Sequence, residues 1–279
     1  MTAPALLSRN KMFNGFQERY RHASAACACD MNFNIYLPPQ TVQGYRVPVL
    51  YWLSGLGSND ENFAQKAGAQ RFAAYWGIAL VAPDTSPRGT NVPDSGTRGI
   101  GQGAGFYVDA TEAPWAANYQ MYTYITEELP ALIEAHFPVT AQRSIAGHSM
   151  GGHGALQIAL KNPDRYAAVS AFAPVAHPSA APLAQAAFSA YLGSNPAAWA
   201  QYDSTALVQT AAQKLPVFVD QGSDDEFYGD LLPEDFVNAA RANGFDVLFK
   251  KRAGYGHDYH FVASFIDSHI EFHADALGL

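Results

Sequence analysis

Cysteine is scarce in this 279-residue chain, which holds two, Cys27 and Cys29. Residues i and i+2 of a strand point to one side, yet they are poorly placed for an unstrained disulfide. Two thiols are also too few for a four-cysteine zinc site. A fold that does not rely on disulfides is expected, as in a reducing compartment. Charge is sparse as well: Asp, Glu, Lys and Arg make up 15 % of residues, against a usual ~25 %. Basic residues are the minority, and the net charge is −8. This argues against nucleic acid as a partner, because such binding needs a basic face to displace counterions. Long apolar runs are absent: Val47–Leu53 and Gly77–Pro83 fall far below the ~20 residues that cross a bilayer, so no membrane partner is expected. The apolar piece Pro4–Leu7 is cut short by Ser8, Arg9, Asn10 and Lys11, too early for a signal-peptide core, and a cytoplasmic location is expected. No repeat is visible and no Ser-, Pro- or Gly-rich linker divides the chain, so a single domain over 1–279 is expected.

What is present is a core. Apolar residues make up 48 % of the chain and aromatics 13 %, which excludes disorder. Phe13–Ser24 and Met31–Leu37 read as strands at one sheet edge, and Val47–Leu53 as a strand buried on both faces. A helix is expected over Asn62–Trp76 and a strand over Ile78–Ala82. Residues 84–117 form a long irregular stretch rich in Gly, Pro, Asp and Thr, of the kind that is usually functional. Asn118–Phe137 reads as a helix that Pro130 must kink or split. From there strands and helices alternate: strand Ser144–Ala146, helix Met150–Lys161, strand Tyr166–Ala173, helix Leu183–Leu192. Strand Pro216–Asp220, helix Pro233–Ala242, strand Asp246–Lys251 and helix Tyr259–Ala276 complete the series. This order predicts an α/β fold with a mostly parallel central sheet, antiparallel N-terminal strands and helices on both faces.

The strongest local signal is Gly147-His148-Ser149-Met150-Gly151, followed by Gly152-His153-Gly154. It fits G-x-S-x-G between a strand and a helix, the context of a nucleophile elbow. Glycines suit a turn this tight, and the helix start aims free N–H groups, that of Met150 included, at an incoming carbonyl oxygen. The plainer alternative is a glycine-rich helix start capped by Ser149. A serine needs a base, and in this fold an acid and then a histidine should follow it in the chain. Asp220, Asp224, Asp225 and Glu226 compete for the acid. His257, in a loop after Gly256, is better placed to reach the serine than His260, which falls in the first helical turn.

Several runs resemble one family. They are Tyr51–Leu56, Pro83–Gly89, Gly103–Thr111, Gly147–Gly154, Asp220-Gln221-Gly222 with Asp224-Asp225, and Gly254-Tyr255 with His257. Together they span about residues 10 to 275 and are similar to the S-formylglutathione hydrolase (esterase D) family. The resemblance implies an α/β-hydrolase fold and a serine hydrolase that cleaves S-formylglutathione to glutathione and formate, a step in formaldehyde detoxification. It also implies side activity on short-chain carboxylic esters, a small-molecule thioester as the partner, no cofactor, and a catalytic set of Ser149, Asp225 and His257. The oxyanion hole it implies is the backbone N–H of Leu56 and of Met150. A homodimer is left open. Two positions depart from the family pattern: Gly57-Ser58 stand where Thr-Cys is frequent, and Gly256 where Asp is usual.

Weaker patterns have plainer readings. Gly99–Ala104 loosely fits a dinucleotide fingerprint, but no strand precedes it and no helix follows, so a flexible loop near the active site is expected. His269 and His273 lie four apart on a helix and could hold a metal. No third ligand is evident and solvent-facing histidines are expected, so no metal is assigned. His148 and His153, flanking the nucleophile, are expected to pack or hydrogen-bond. Ser58 stands where the family often carries a thiol, and Cys27 and Cys29 lie far along the chain from the elbow. Activity should therefore survive iodoacetamide on the native protein. Inactivation that tracks thiol modification and is prevented by Cys27→Ser or Cys29→Ser would contradict that expectation.

Overall fold

The computed structural model describes residues 2–279. A nine-stranded sheet runs through it: β1 (Ala5–Met12), β2 (Gly15–Ser24), β3 (Cys29–Leu37), β4 (Val47–Leu53), β5 (Ala79–Pro83), β6 (Val139–His148), β7 (Val169–Phe172), β8 (Val217–Gly222) and β9 (Val247–Arg252). The spatial order is β1-β2-β3-β5-β4-β6-β7-β8-β9. Strands β1 to β3 are antiparallel, β3 pairs antiparallel with β5, and every pair from β5 to β9 is parallel. The strand–helix alternation predicts this mostly parallel α/β sheet with antiparallel N-terminal strands, and its order is that of the α/β-hydrolase fold the family resemblance implies. Strand β4 is buried at all seven positions, as its unbroken apolar run requires of a strand covered on both faces. One face carries Phe33, Val49, Tyr51 and Ile145 against the helices Met150–Lys161 and Leu129–His136. The other carries Tyr36, Leu50, Trp52 and Phe172 against the helices Gln70–Trp76 and Tyr259–Leu277.

Several elements differ from expectation for local reasons. The strand read from Phe13 begins at Gly15, after a hairpin turn, and the strand before that turn, β1, was not expected: it is exposed at seven of its eight positions, so no apolar alternation marks it. Phe13 and Asn14 both take positive φ at the turn, as a two-residue hairpin loop requires. The helix over 62–76 is two helices, Glu61–Lys66 and Gln70–Trp76, separated at Gly68 with φ +67°. Pro130 does not split its helix. A wider π turn at Tyr124–Glu128 precedes it, and the Thr126 carbonyl, which a proline four residues on cannot bond, accepts a hydrogen bond from Arg165. Two short helices, Pro196–Ala200 and Ser204–Thr210, carry no apolar period; the Asn195 and Asp203 side chains cap them.

His269 and His273 are not solvent-facing, which corrects the expectation from sequence. Both are fully buried. The His269 ring lies between Phe172, with centroids 3.7 Å apart, and Phe218 at 4.1 Å. Ser170 Oγ sits 2.8 Å from His269 Nδ1 and 2.8 Å from His273 Nε2. His269 Nε2 is 3.4 Å from Asp220, which Arg252 grips through Nε and Nη2 at 2.8–3.1 Å. Burial holds both rings below the ordinary histidine range, against the opposing pull of Asp220 on His269. Burial likewise pushes His153 down to about 4. These rings are neutral when folded. Below the unfolded value of 6.5, the unfolded chain takes up protons that the core refuses. Stability is therefore full above about pH 6.5 and falls towards pH 4, by about 1.4 kcal/mol per histidine per pH unit. The thermal midpoint should drop by more than about 5 °C between pH 7.5 and pH 5. An unchanged midpoint would show that these histidines do not govern acid stability.

Candidate active site

The parallel strands end at one edge, and the connection out of β5 crosses over β4 to reach β6. A crevice at the carboxyl ends of strands on either side of such a reversal is where ligands bind in open α/β sheets. Ser149 stands there, between β6 and the helix Met150–Lys161, at φ +58° and ψ −121°. A left-handed φ on a serine costs about 1–3 kcal/mol and persists because its neighbours impose it. A Cβ on Gly151 would lie 1.9 Å from the Leu53 carbonyl oxygen, and one on Gly147 would lie 2.2 Å from the Gly151 oxygen. The helix is thus pressed against the ends of β4 and β6, and the chain turns outward at Ser149.

The loops after β8 and β9 bring the other groups. Asp220↔Lys250 and Gly222↔Arg252 are in register, and the Asp220–Arg252 fork ties the two strand ends. The loops continue zipped together: the Asp224 N–H donates to the Tyr255 carbonyl at 3.0 Å and the Ser223 N–H to the Arg252 carbonyl at 2.9 Å. A Cβ on Gly222 would meet the Tyr255 oxygen at 2.2 Å. From these loops His257 places Nε2 2.8 Å from Ser149 Oγ and Nδ1 2.8 Å from Asp225 Oδ2. The Asp225 carboxylate is buried and also accepts from Gln221 Nε2 at 2.9 Å and from the Phe227 N–H at 2.8 Å. Burial alone would raise its pKa. The hydrogen bond and charge of His257, with the Phe227 and Gln221 donors, outweigh burial and hold it below the usual carboxylate value. Phe227 sets its ring edgewise to His257 at 5.0 Å.

The competing candidates lie elsewhere. Asp220 is committed to Arg252, Asp224 and Glu226 are exposed, and the exposed His260 pairs with Asp258 at 2.9 Å. His153 bonds the Phe106 carbonyl at 3.0 Å. His148 packs 4.7 Å from the His257 ring and is pushed down to about 3, by burial first and by His257 second. Neither the Leu56 nor the Met150 N–H has an acceptor among the described residues. Both residues line, with Ser149 and His257, a cavity of about 220 Å³ whose other walls include Phe106, Val175, Leu183 and Leu231.

The Leu56 loop is anchored from outside. Tyr107 donates to the Ser54 carbonyl at 2.8 Å, Thr85 and Arg88 donate to the Ser58 carbonyl at 2.6 and 2.8 Å, and the Gly57 N–H donates to Gly103. A Cβ on Gly256 would meet nothing outside its chain neighbours closer than 3.9 Å, so the position has room for the aspartate that is usual there. The 99–104 stretch lies beside the cavity and carries no dinucleotide-binding geometry. Gln221 and Phe227 escaped the sequence reading, although Gln221 sits inside the quoted Asp220-Gln221-Gly222 run. No cluster of three or more His, Cys, Asp or Glu able to hold a metal occurs among the described residues.

An elbow serine, a histidine bonded to it, and two free N–H groups on a parallel-sheet edge define a hydrolase of the α/β-hydrolase fold. Over residues 24–272 the chain matches the family described as "Putative esterase", and it belongs to that family. It is 43 % identical to an S-formylglutathione hydrolase from Agrobacterium tumefaciens, covering 98 % of this chain and 100 % of that one with a TM-score of 0.96. The fold is shared with FphF, a fluorophosphonate-binding serine hydrolase of Staphylococcus aureus (20 % identity, 93 % and 98 % covered, TM-score 0.75). It is shared also with a ferulic acid esterase (22 %, 96 % and 100 % covered, TM-score 0.72).

The geometry ranks the two neighbouring aspartates. Asp225→Asn should lower kcat about 10³- to 10⁴-fold, by analogy with loss of the orienting aspartate in serine proteases. Asp224→Asn should stay within a few-fold of the wild type. Steady-state kinetics on p-nitrophenyl acetate checks this, and the reverse ranking would move the acid by one residue.

Proposed function

We propose that this protein is an S-formylglutathione hydrolase acting in the cytoplasm in formaldehyde detoxification, with Ser149, His257 and Asp225 as its catalytic set on one domain spanning 1–279. The observation that carries the reading is the unbroken hydrogen-bond chain from Ser149 Oγ through His257 to Asp225, beside two unclaimed N–H groups. The 43 % identity to a hydrolase of that name supports the substrate.

Ser149 Oγ attacks the formyl carbonyl carbon while His257 Nε2 takes its proton. Asp225 fixes the tautomer that leaves Nε2 free and stabilises the imidazolium that forms. The Leu56 and Met150 N–H groups receive the negative charge developing on the carbonyl oxygen. The C–S bond then breaks, and His257 returns its proton to the departing thiolate. Water enters, gives a proton to His257, and attacks the formyl-serine ester. Formate leaves as Ser149 recovers its proton. No cofactor enters this sequence.

The apolar cavity supports the side activity on short esters. A formyl group fills little more than the ~30 Å³ of a water molecule, so a cavity of about 220 Å³ has room for slightly larger acyl groups.

Ser149→Ala should cost about 10⁴- to 10⁶-fold in kcat and abolish labelling by a fluorophosphonate. Near-native turnover by that variant would overturn the mechanism. Turnover of p-nitrophenyl esters should fall from acetate to butyrate to octanoate. A preference for octanoate would point to a lipase-like enzyme instead.

A further inference from the structure

We propose that Arg98 is the carboxylate-recognising residue for the leaving thiol, an inference that rests on the proposed thioester reaction. His257 returns its proton to the departing sulfur, so the thiol leaves on the His257 side of the cavity. That side is walled by Phe227, edgewise to His257 at 5.0 Å. The Arg98 guanidinium lies 5.5 Å from the Phe227 ring centroid. Arg98 is the one Lys or Arg on the cavity lining among the described residues. It is exposed and takes part in no ion pair or side-chain hydrogen bond there, so its fork of donors is free for a carboxylate, the group that fork fits best. A thiol borne on a short peptide places a carboxylate about 7 Å away for each two extended residues, enough to pass over Phe227 to Arg98.

The backbone that carries Arg98 is held in place. In its loop Asp94 Oδ1 accepts the Ser95 and Gln102 N–H groups, both at 2.8 Å, and the Gly101 N–H donates to Tyr191 Oη at 2.7 Å. A Cβ on Gly99 would come 2.7 Å from Leu183 Cδ1, so the residue after Arg98 is pressed onto the cavity wall. Arg98 and Leu56 also line an open groove of about 450 Å³, which gives the tail a path out. Asp230, on the same lining and without an ion-pair partner, suits an ammonium, so a leaving group bearing both charges is matched at one mouth. Lys66, 5.8 Å from the Tyr259 ring centroid, lies outside the lining and serves as a control.

The test compares kcat/KM for S-formylglutathione with that for S-formyl-N-acetylcysteamine, a formyl thioester without carboxylates. Arg98→Ala should lower the ratio about tenfold, mostly through KM. Arg98→Lys should recover part of the loss, and Arg98→Glu should deepen it. Lys66→Ala should leave the ratio unchanged. A ratio within twofold of the wild type in Arg98→Ala, with the wild type active on S-formylglutathione, overturns the role of Arg98 alone, as does a drop confined to Lys66→Ala. A wild type that cleaves the truncated thioester and not S-formylglutathione overturns the proposed substrate and this inference together.

Discussion

The arrangement of the site depends on one close approach, the packing of the helix Met150–Lys161 against the carboxyl ends of β4 and β6. Gly151 lies where any side chain would strike the Leu53 carbonyl, and that contact leaves the chain no relaxed way through residue 149. The strain at Ser149 is thus imposed by the tightest packing in the neighbourhood. The same contact carries the Met150 N–H to the cavity that Leu56 also lines, since Leu56 lies three residues past the strand end that Gly151 touches. The Ser149 hydroxyl and the two free N–H groups are positioned by a single event, at a place where the sheet is buried and stiff.

The acid and the histidine depend on a second device on the other flank. They belong to loops 32 residues apart, and loops alone would let them wander. The Asp220–Arg252 fork joins the two strands before either loop begins, and the backbone bonds of Ser223 and Asp224 keep the loops together to within a residue of Asp225. Burial of Asp225 would favour its neutral form, yet three donors converge on it and keep it anionic. His257 and Ser149 are partly exposed at the cavity, while the Asp225 carboxylate behind them is sealed from water.

Legibility in sequence varied with how much of the physics is local. The helices Met150–Lys161 and Pro233–Ala242 follow from period and breakers, and strand β4 from an unbroken apolar run. Strand β1 was hidden because its side chains face solvent and its place comes from pairing with β2. The helix expected over 62–76 breaks at Gly68, where a positive φ was available and the packing used it. His269 and His273 read as surface residues because a helix near a chain end shows no sign of being buried along one face. That burial requires Phe218, some fifty residues away, and Phe172 and Ser170, about a hundred residues away, to supply the walls.

By itself the sequence determined the fold class, the elbow at Ser149 and the pool of residues from which acid and base could come, since period, glycine spacing and chain order are local or one-dimensional properties. It could not choose among Asp220, Asp224, Asp225 and Glu226 from its own spacing. The family resemblance pointed to Asp225, and the tertiary structure supplies the physical reason that this carboxylate meets His257: β8 and β9 pair in register and Arg252 claims Asp220. Arg98 was left to the tertiary structure alone. Nothing in a Gly-rich loop says which way its one arginine faces, and its position at the cavity mouth comes from Leu183 and Tyr191 pressing that loop into place.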